Sequence, residues 1–246
     1  MILQGRTVLI TGGGSGIGAE MATLFAKNGA SVVISGRRIA ALEQVAATSD
    51  AIRAITADVT DEISVKHLFQ SAGHVDIVIA NAGDSESAPF HKTTLDAWHR
   101  MMNVNLTGVF LTLREGLTQM TGWGRLISVA STAGLKGYSY VAPYCAAKHG
   151  VIGLTRALAQ EVATKNITAN ALCPGFMDTD MTERSIQNIM EKTGMDKDTA
   201  RVTLARHNPQ KRLIQPSEVA ATALWLCSPG SDGINGQAIA IAGGEI

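Results

Sequence analysis

The sequence predicts an α/β fold, a doubly wound parallel sheet of seven strands with helices on both faces, formed as one domain over residues 1–246. Three observations predict it. Short runs rich in Val and Ile alternate with helical stretches along the chain. Parallel strands covered on both faces read as such continuous apolar runs. A glycine-rich turn joins the first run to the first helix. The composition, 46% apolar and 17% charged with 25 Gly and only 6 Pro, suits a large packed core, and no Pro/Gly/Ser linker or internal repeat divides the chain.

Thr7–Ile10 is the first strand and Ile17–Lys27 the first helix, with Met21, Leu24 and Phe25 at the three- and four-residue spacing of one buried stripe. Ser31–Ser35 is the second strand, Ile39–Ala47 a helix and Ile52–Thr56 the third strand, with a helix opening after Thr60. The fourth strand is expected at Val75–Ala80 and a long helix from Leu95 to Gln119. The fifth strand is Arg125–Val129, followed by a second long helix at Tyr144–Ala163 and a sixth strand at Ile167–Leu172. Residues 178–215 are the least regular stretch and should hold two helical pieces and a substrate lid. Ser217 is expected to cap a helix over 218–227, and Gln237–Ala242 is the last strand. Right-handed crossovers then leave few topologies, with ligands at the carboxyl ends of the strands.

Lys plus Arg equals Asp plus Glu at 21 each, so net charge supplies no argument for nucleic acid as a partner. No apolar stretch approaches the roughly 20 residues of a membrane helix. Met1 to Arg6 runs into a strand without a signal-peptide layout, which points to a reducing, cytoplasmic setting. Cys145, Cys173 and Cys227 are too scattered for a disulfide scaffold. The histidines lack zinc-ligand spacing, so no metal is expected. His149 has no Ser or Cys partner at an elbow-like turn, which argues against a hydrolase.

The turn Thr11-Gly12-Gly13-Gly14-Ser15-Gly16-Ile17-Gly18 leaves a strand and opens a helix. Glycines permit a tight turn and close approach of a pyrophosphate, which the helix N–H groups and dipole attract. Gly12, Gly14, Ser15, Gly16, Ile17 and Gly18 are therefore the candidate dinucleotide cradle. The second strand ends in Gly36-Arg37-Arg38 where an NAD site presents an acid. Arginine pairs with a 2′-phosphate, so NADP(H) is the expected coenzyme and NAD(H) the alternative. Asp58 and Val59 at the third strand's end are placed for the adenine, and Asn81-Ala82-Gly83 after the fourth leaves room beside the coenzyme.

Tyr144 and Lys148 lie four apart near the start of a helix and share one face. An ammonium beside a phenol favours the phenolate, so the tyrosine should fall below its ordinary value and trade a proton with a carbonyl oxygen as hydride moves. Ser131, just past the fifth strand, is placed to hold the same oxygen. Asn105 offers an amide to an ordered water linking Lys148 to solvent.

With these pieces in this order, the whole chain resembles the short-chain dehydrogenase/reductase family, through Thr11-Gly12 to Gly18, Asp58, Asn81-Ala82-Gly83, Asn105, Ser131, Tyr144, Lys148 and Pro174-Gly175. Two positions depart from the family pattern, Ala80 before Asn81 and Ser15 within the turn. The resemblance implies a Rossmann-type nicotinamide-dependent oxidoreductase, usually a homotetramer, with Tyr144 as acid/base, Lys148 on the nicotinamide ribose, Ser131 on the substrate oxygen and Asn105 in the proton relay. It also implies that Thr179, after Pro174-Gly175, meets the nicotinamide carboxamide. Residues 130–138 and 170–179 look like reductases of 3-oxoacyl thioesters and aromatic polyketides, and like 3-hydroxyacyl-CoA dehydrogenases.

Ser85, Leu135, Tyr138, Tyr140 and Met177 are the expected substrate lining, with Arg206 and Lys211 on a basic lid for the phosphates of coenzyme A or of a carrier protein's pantetheine arm. The expected reaction is reversible reduction of a 3-oxoacyl thioester. Alternatives are oxidation of a small secondary alcohol or polyol, reduction of a ring ketone, and non-catalytic nucleotide binding. Leu106, Val109, Phe110 and Leu113, with Val151, Leu154, Leu158 and Val162, form apolar stripes that sheet packing and subunit pairing would share.

Overall fold

The computed structural model describes residues 1–246. The strands are β1 (Thr7–Thr11), β2 (Ser31–Gly36), β3 (Ile52–Thr56), β4 (Ile77–Ala80), β5 (Gly124–Val129), β6 (Ile167–Pro174) and β7 (Ala238–Ile241). They form one sheet in the order β3-β2-β1-β4-β5-β6-β7, every neighbouring pair parallel. The order reverses between β1 and β4, which opens a crevice at the carboxyl edge there.

Alternation along the strands divides the core between the two faces. Val8, Ile10, Ile34, Ile77 and Ile79 pack on one side with α1 (Gly16–Lys27) and α9 (Pro216–Trp225). Leu9, Val33, Val78 and Leu126 pack on the other with α3 (Glu62–Ala72), α5 (Gly108–Gln119) and α6 (Ala142–Val162). Helix α5 lies close on the sheet because Gly116 faces it: a Cβ there would stand 2.6 Å from Val78 of β4. Three helices start on an Asp or Thr side-chain cap. Asp61 accepts from the Ile63 N–H at α3, Thr94 from Ala97 at α4 (Leu95–Met102), and Asp196 from Thr199 at α8 (Lys197–Ala205). The remaining helices are α2 (Ile39–Ala46) and α7 (Asp180–Thr193), and α7 and α8 are the two helical pieces expected in 178–215.

Four boundaries differ from the expectation. The stretch 95–119 is not one helix: Asn103–Thr107 forms a π-helical turn between α4 and α5. Ser217 does not cap α9; Gln215 does, in a reciprocal capping box with Glu218, and Pro216 occupies the first helical position where its missing N–H costs nothing. Val75 and Asp76 precede β4, because Asp76 is used to bind the Thr7 N–H and Arg6. The helix α6 begins before Tyr144, at Ala142. No helix is long and apolar enough to cross a membrane.

Candidate active site

A cleft of about 1520 Å³ runs along the carboxyl edge of the sheet, from Arg37 and Asp58 at one end, past the glycine turn, to Tyr138 and His207 at the other. The turn is built by backbone. Gly12 and Gly16 have φ of +68° and +54°, a region that favours glycine. A Cβ at Gly12 would press on Ala82 at 2.9 Å, and one at Gly16 would project into the gap toward Thr179, 3.6 Å from its methyl carbon. Ser15 begins α1 without a side-chain cap, so the first-turn N–H groups remain available to an anion. These features fit a dinucleotide's pyrophosphate. Gly18 is buried behind the turn, where a Cβ would collide with the Gly12 carbonyl oxygen, so it serves packing and does not line the cleft.

The turn is tied to β4 by contacts that the motif alone does not disclose. The Thr11 hydroxyl accepts from the N–H groups of Asn81 and Ala82 at 3.1 and 3.2 Å. The Asn81 amide donates to the carbonyls of Thr11 and Gly12 at 2.9 and 3.1 Å. Asn81 therefore holds the cradle in shape, beyond leaving space. Arg37 and Arg38 are exposed and make no ion pair. Burial raises the Asp58 carboxyl, but hydrogen bonds from Thr60 and the nearby Arg37 charge bring it below its ordinary value.

Ser131, Tyr144, Lys148 and Asn105 all line the cleft. Ser131 follows β5, and its hydroxyl accepts from the Ala133 N–H at 3.1 Å. The Lys148 ammonium donates to the Val129 carbonyl at 2.8 Å and stands 5.5 Å from the centre of the Tyr144 ring. Asn105 is fully buried in the π-turn, with its amide nitrogen 2.8 Å from the Asp84 carbonyl and its oxygen accepting from the Asp84 N–H at 3.2 Å. Gly83 makes this possible: a Cβ there would meet the Asn105 oxygen at 2.8 Å.

The expected acidic phenol is corrected by this geometry. Burial pushes Tyr144 up to about 12, only partly countered by the neighbouring Ser131 hydroxyl. Burial also pushes Lys148 down to about 8. Desolvation outweighs the attraction between the two groups because the ammonium is tethered to Val129, not to the phenol oxygen.

At the substrate end, Ser85, Tyr138, Tyr140 and Met177 line the cleft as expected. Leu135 does not; it packs against the core beside α6. Arg206 and Lys211 do not either. They line a separate depression of about 360 Å³ with Val202 and Ala205. The rest of the basic segment is neutralised, Arg201 by Asp178 and Glu183 and Arg212 by Glu218. Helix α7 instead leans on the loop after β4, through Arg184 to Asp84 and Asn188 to Ser87, both at 2.9 Å. Phe176 and His207 complete the wall with Tyr138, at ring separations of 5.8, 5.9 and 5.2 Å. Neither Phe176 nor His207 carries a sequence signal for this place, and Thr11 is legible only as the start of the glycine run.

A family model described as short chain dehydrogenase matches residues 6–189. A putative ketoacyl reductase of Streptomyces coelicolor is 34% identical, over 97% of this chain and 96% of its own. A cis-4-hydroxycyclohexanecarboxylate dehydrogenase of Sinomonas cyclohexanicum is 37% identical, over 97% and 96%. A crystal structure of an actinorhodin polyketide ketoreductase variant with NADPH superposes with a TM-score of 0.92 at 32% identity, covering 98% of this chain and 97% of that one.

Proposed function

The chain belongs to the short-chain dehydrogenase family and is an NAD(P)-dependent oxidoreductase, and on that premise we propose that it reduces the ketone of a 3-oxoacyl thioester reversibly, with NADP(H) as the preferred coenzyme. The observation that carries the reading is the convergence of Ser131, Tyr144, Lys148 and Asn105 on one cleft with the glycine turn.

The coenzyme's phosphates would lie on Gly12, Gly14, Ser15, Gly16 and Ile17, its adenine against Asp58 and Val59, and its nicotinamide end among Asn81, Ala82, Gly83, Pro174, Gly175 and Thr179. The bound nicotinamide supplies the hydride. Tyr144 is the acid that delivers a proton to the substrate oxygen, and a phenol held near 12 keeps that proton at neutral pH until the oxygen becomes basic. Ser131 is positioned to hold the same oxygen. Lys148, buried with its charge on the cleft side of Val129, offers an ammonium to the ribose, and Asn105 fixes the chain around Asp84 beside it. Arg37 and Arg38, exposed and free of ion pairs, favour a 2′-phosphate. Exposed and equally unpaired, Lys92 and Lys192 stand at the mouth of the cleft, where the phosphates of a coenzyme A or pantetheine arm would pass. A ring ketone is the second reading, favoured by the aromatic wall of Tyr138, Phe176 and His207. Exposed Leu95, Trp98 and Phe110 on α4 and α5 suit subunit pairing in a homotetramer, and the absence of a spanning helix accords with a cytoplasmic enzyme.

The test is steady-state reduction of acetoacetyl-CoA with NADPH and with NADH. Turnover favouring NADPH, lost at least about 100-fold in Tyr144→Phe while NADPH affinity holds within about threefold, is the expected result. Unchanged turnover in that variant overturns the mechanism, and no turnover of the thioester by the unaltered enzyme overturns the substrate.

A further inference from the structure

Behind the aromatic wall lies a carboxylate that the reaction does not use. After β7 the chain turns back through Gly243 and Gly244, with φ of +61° and +93°, and a Cβ at Gly243 would collide with the Asn208 side chain. This turn carries Glu245 inward until its side chain is 3% exposed. One oxygen, Oε1, meets the Tyr138 hydroxyl at 2.5 Å and the Lys136 ammonium at 3.0 Å, with His207 at 3.9 Å. The other, Oε2, is buried against Gly175 with no hydrogen-bond partner. A buried oxygen without a partner is costly and asks for an explanation.

At Oε1 the donors can be assigned by arithmetic. A phenol has one proton, and a carboxylate beside an ammonium can only accept. The Tyr138 proton therefore goes to Glu245, and Thr132, whose hydroxyl oxygen is 2.7 Å away, donates to the phenol oxygen. Burial and the hydrogen bond to Glu245 push the Tyr138 phenol up, so it keeps that proton. Tyr138 has no donor left for a substrate, and what it adds to the cleft is the face of its ring.

We propose that Glu245 is a positioning residue for substrate choice: by taking the only proton of Tyr138 and holding its ring beside Phe176 and His207, it leaves this part of the wall without a phenol donor and disfavours substrates that carry a hydroxyl there. The inference rests on the reading of the cleft as a carbonyl-reducing site, but not on the thioester. Glu245 touches neither substrate nor coenzyme and acts through Tyr138.

The experiment measures kcat/KM for cyclohexanone and for 4-hydroxycyclohexanone, a pair that differs by one hydroxyl, in the unaltered enzyme, Glu245→Leu, Tyr138→Phe and the double variant. The unaltered enzyme should prefer cyclohexanone. Tyr138→Phe should leave the preference within about twofold, because the proton it removes was never available to substrate. Glu245→Leu leaves the phenol proton to be shared between Thr132 and the substrate, and should shift the preference toward the hydroxylated ketone by about tenfold. The double variant should return it to the starting ratio, a non-additivity that loss of packing alone would not produce. Coenzyme KM should stay within about twofold throughout. The inference is overturned by a tenfold shift in Tyr138→Phe alone, by an unchanged ratio in Glu245→Leu, by an equal shift in the double variant, or by failure of the unaltered enzyme to reduce either ketone. Tyr138→Phe keeps the test decisive if Glu245→Leu does not fold. Acetoacetyl-CoA turnover in the same preparations separates this outcome from failure of the thioester reading.

Discussion

Replacing Lys148 by Met should disable the enzyme and stabilise the protein at once. Burial holds the ammonium near 8 against an ordinary 10.5. At about 1.4 kcal/mol per pH unit, that difference withholds about 3 kcal/mol from the folded state at pH 7. Methionine fills much of the same volume with no charge, and the abandoned Val129 carbonyl gives back about 1 kcal/mol, leaving a gain of about 2 kcal/mol. The sign with pH follows from proton counting. Between 8 and 10.5 the unfolded chain binds a proton at this site that the folded chain has released, so the unaltered protein gains stability as pH rises through that window. The advantage of Lys148→Met should therefore be full below pH 8 and nearly gone by about pH 9.5. Guanidinium unfolding at matched protein concentration, at pH 7 and again at pH 9.5, measures it. Turnover should fall at least about 100-fold at both. A variant no more stable than its parent at pH 7, or one whose advantage is the same at the two pH values, refutes the claim that a desolvated charge is held here for chemistry.

Two further variants separate the coenzyme end of the cleft from the basic depression beside it. Arg37→Asp removes a cation from the proposed 2′-phosphate site and adds a repulsive charge; losing a charged hydrogen bond of about 2 kcal/mol or more should lower the NADPH-to-NADH ratio of kcat/KM by about 30-fold or more. The pair Arg206→Glu and Lys211→Glu lies outside the cleft, so KM for acetoacetyl-CoA should change by less than about twofold, and a tenfold rise would restore the basic lid as a substrate element.

The sheet was legible because its signals are local. Val8-Leu9-Ile10 must be apolar on both faces, and the glycine turn must follow a strand, so β1 and the start of α1 announce themselves. The π-turn at Asn103–Thr107 was not legible, since nothing local in Asn103-Val104-Asn105-Leu106-Thr107 distinguishes a widened turn from an ordinary helical one. What places it is tertiary: Asn105 reaches Asp84 and Met101, and Gly108 lets the chain press on Val59, where a Cβ would stand 2.8 Å away. The cap of α9 was read two residues late for a related reason. Ser217 is a good cap by residue type, yet Gln215 with Glu218 satisfies two backbone donors reciprocally and lets Pro216 sit where a proline is tolerated.

The same division runs through the cleft itself. Its coenzyme end is made of backbone, and backbone that must adopt φ near +60° or admit a phosphate is written as glycine, in order, within a few residues of the strand that presents it. Its substrate end is made of side chains brought together from afar. Tyr138 and Glu245 are 107 residues apart, and no periodicity or spacing joins them; even the charge of Arg206 and Lys211, the most visible feature of that region in the sequence, turns away from the cleft. A motif therefore reports how this enzyme handles hydride, while the choice of what receives it is left to contacts such as Glu245 on Tyr138. Relatives about a third identical over nearly the full chain accordingly carry names as different as putative ketoacyl reductase and cis-4-hydroxycyclohexanecarboxylate dehydrogenase, since a shared fold and cradle do not fix the substrate.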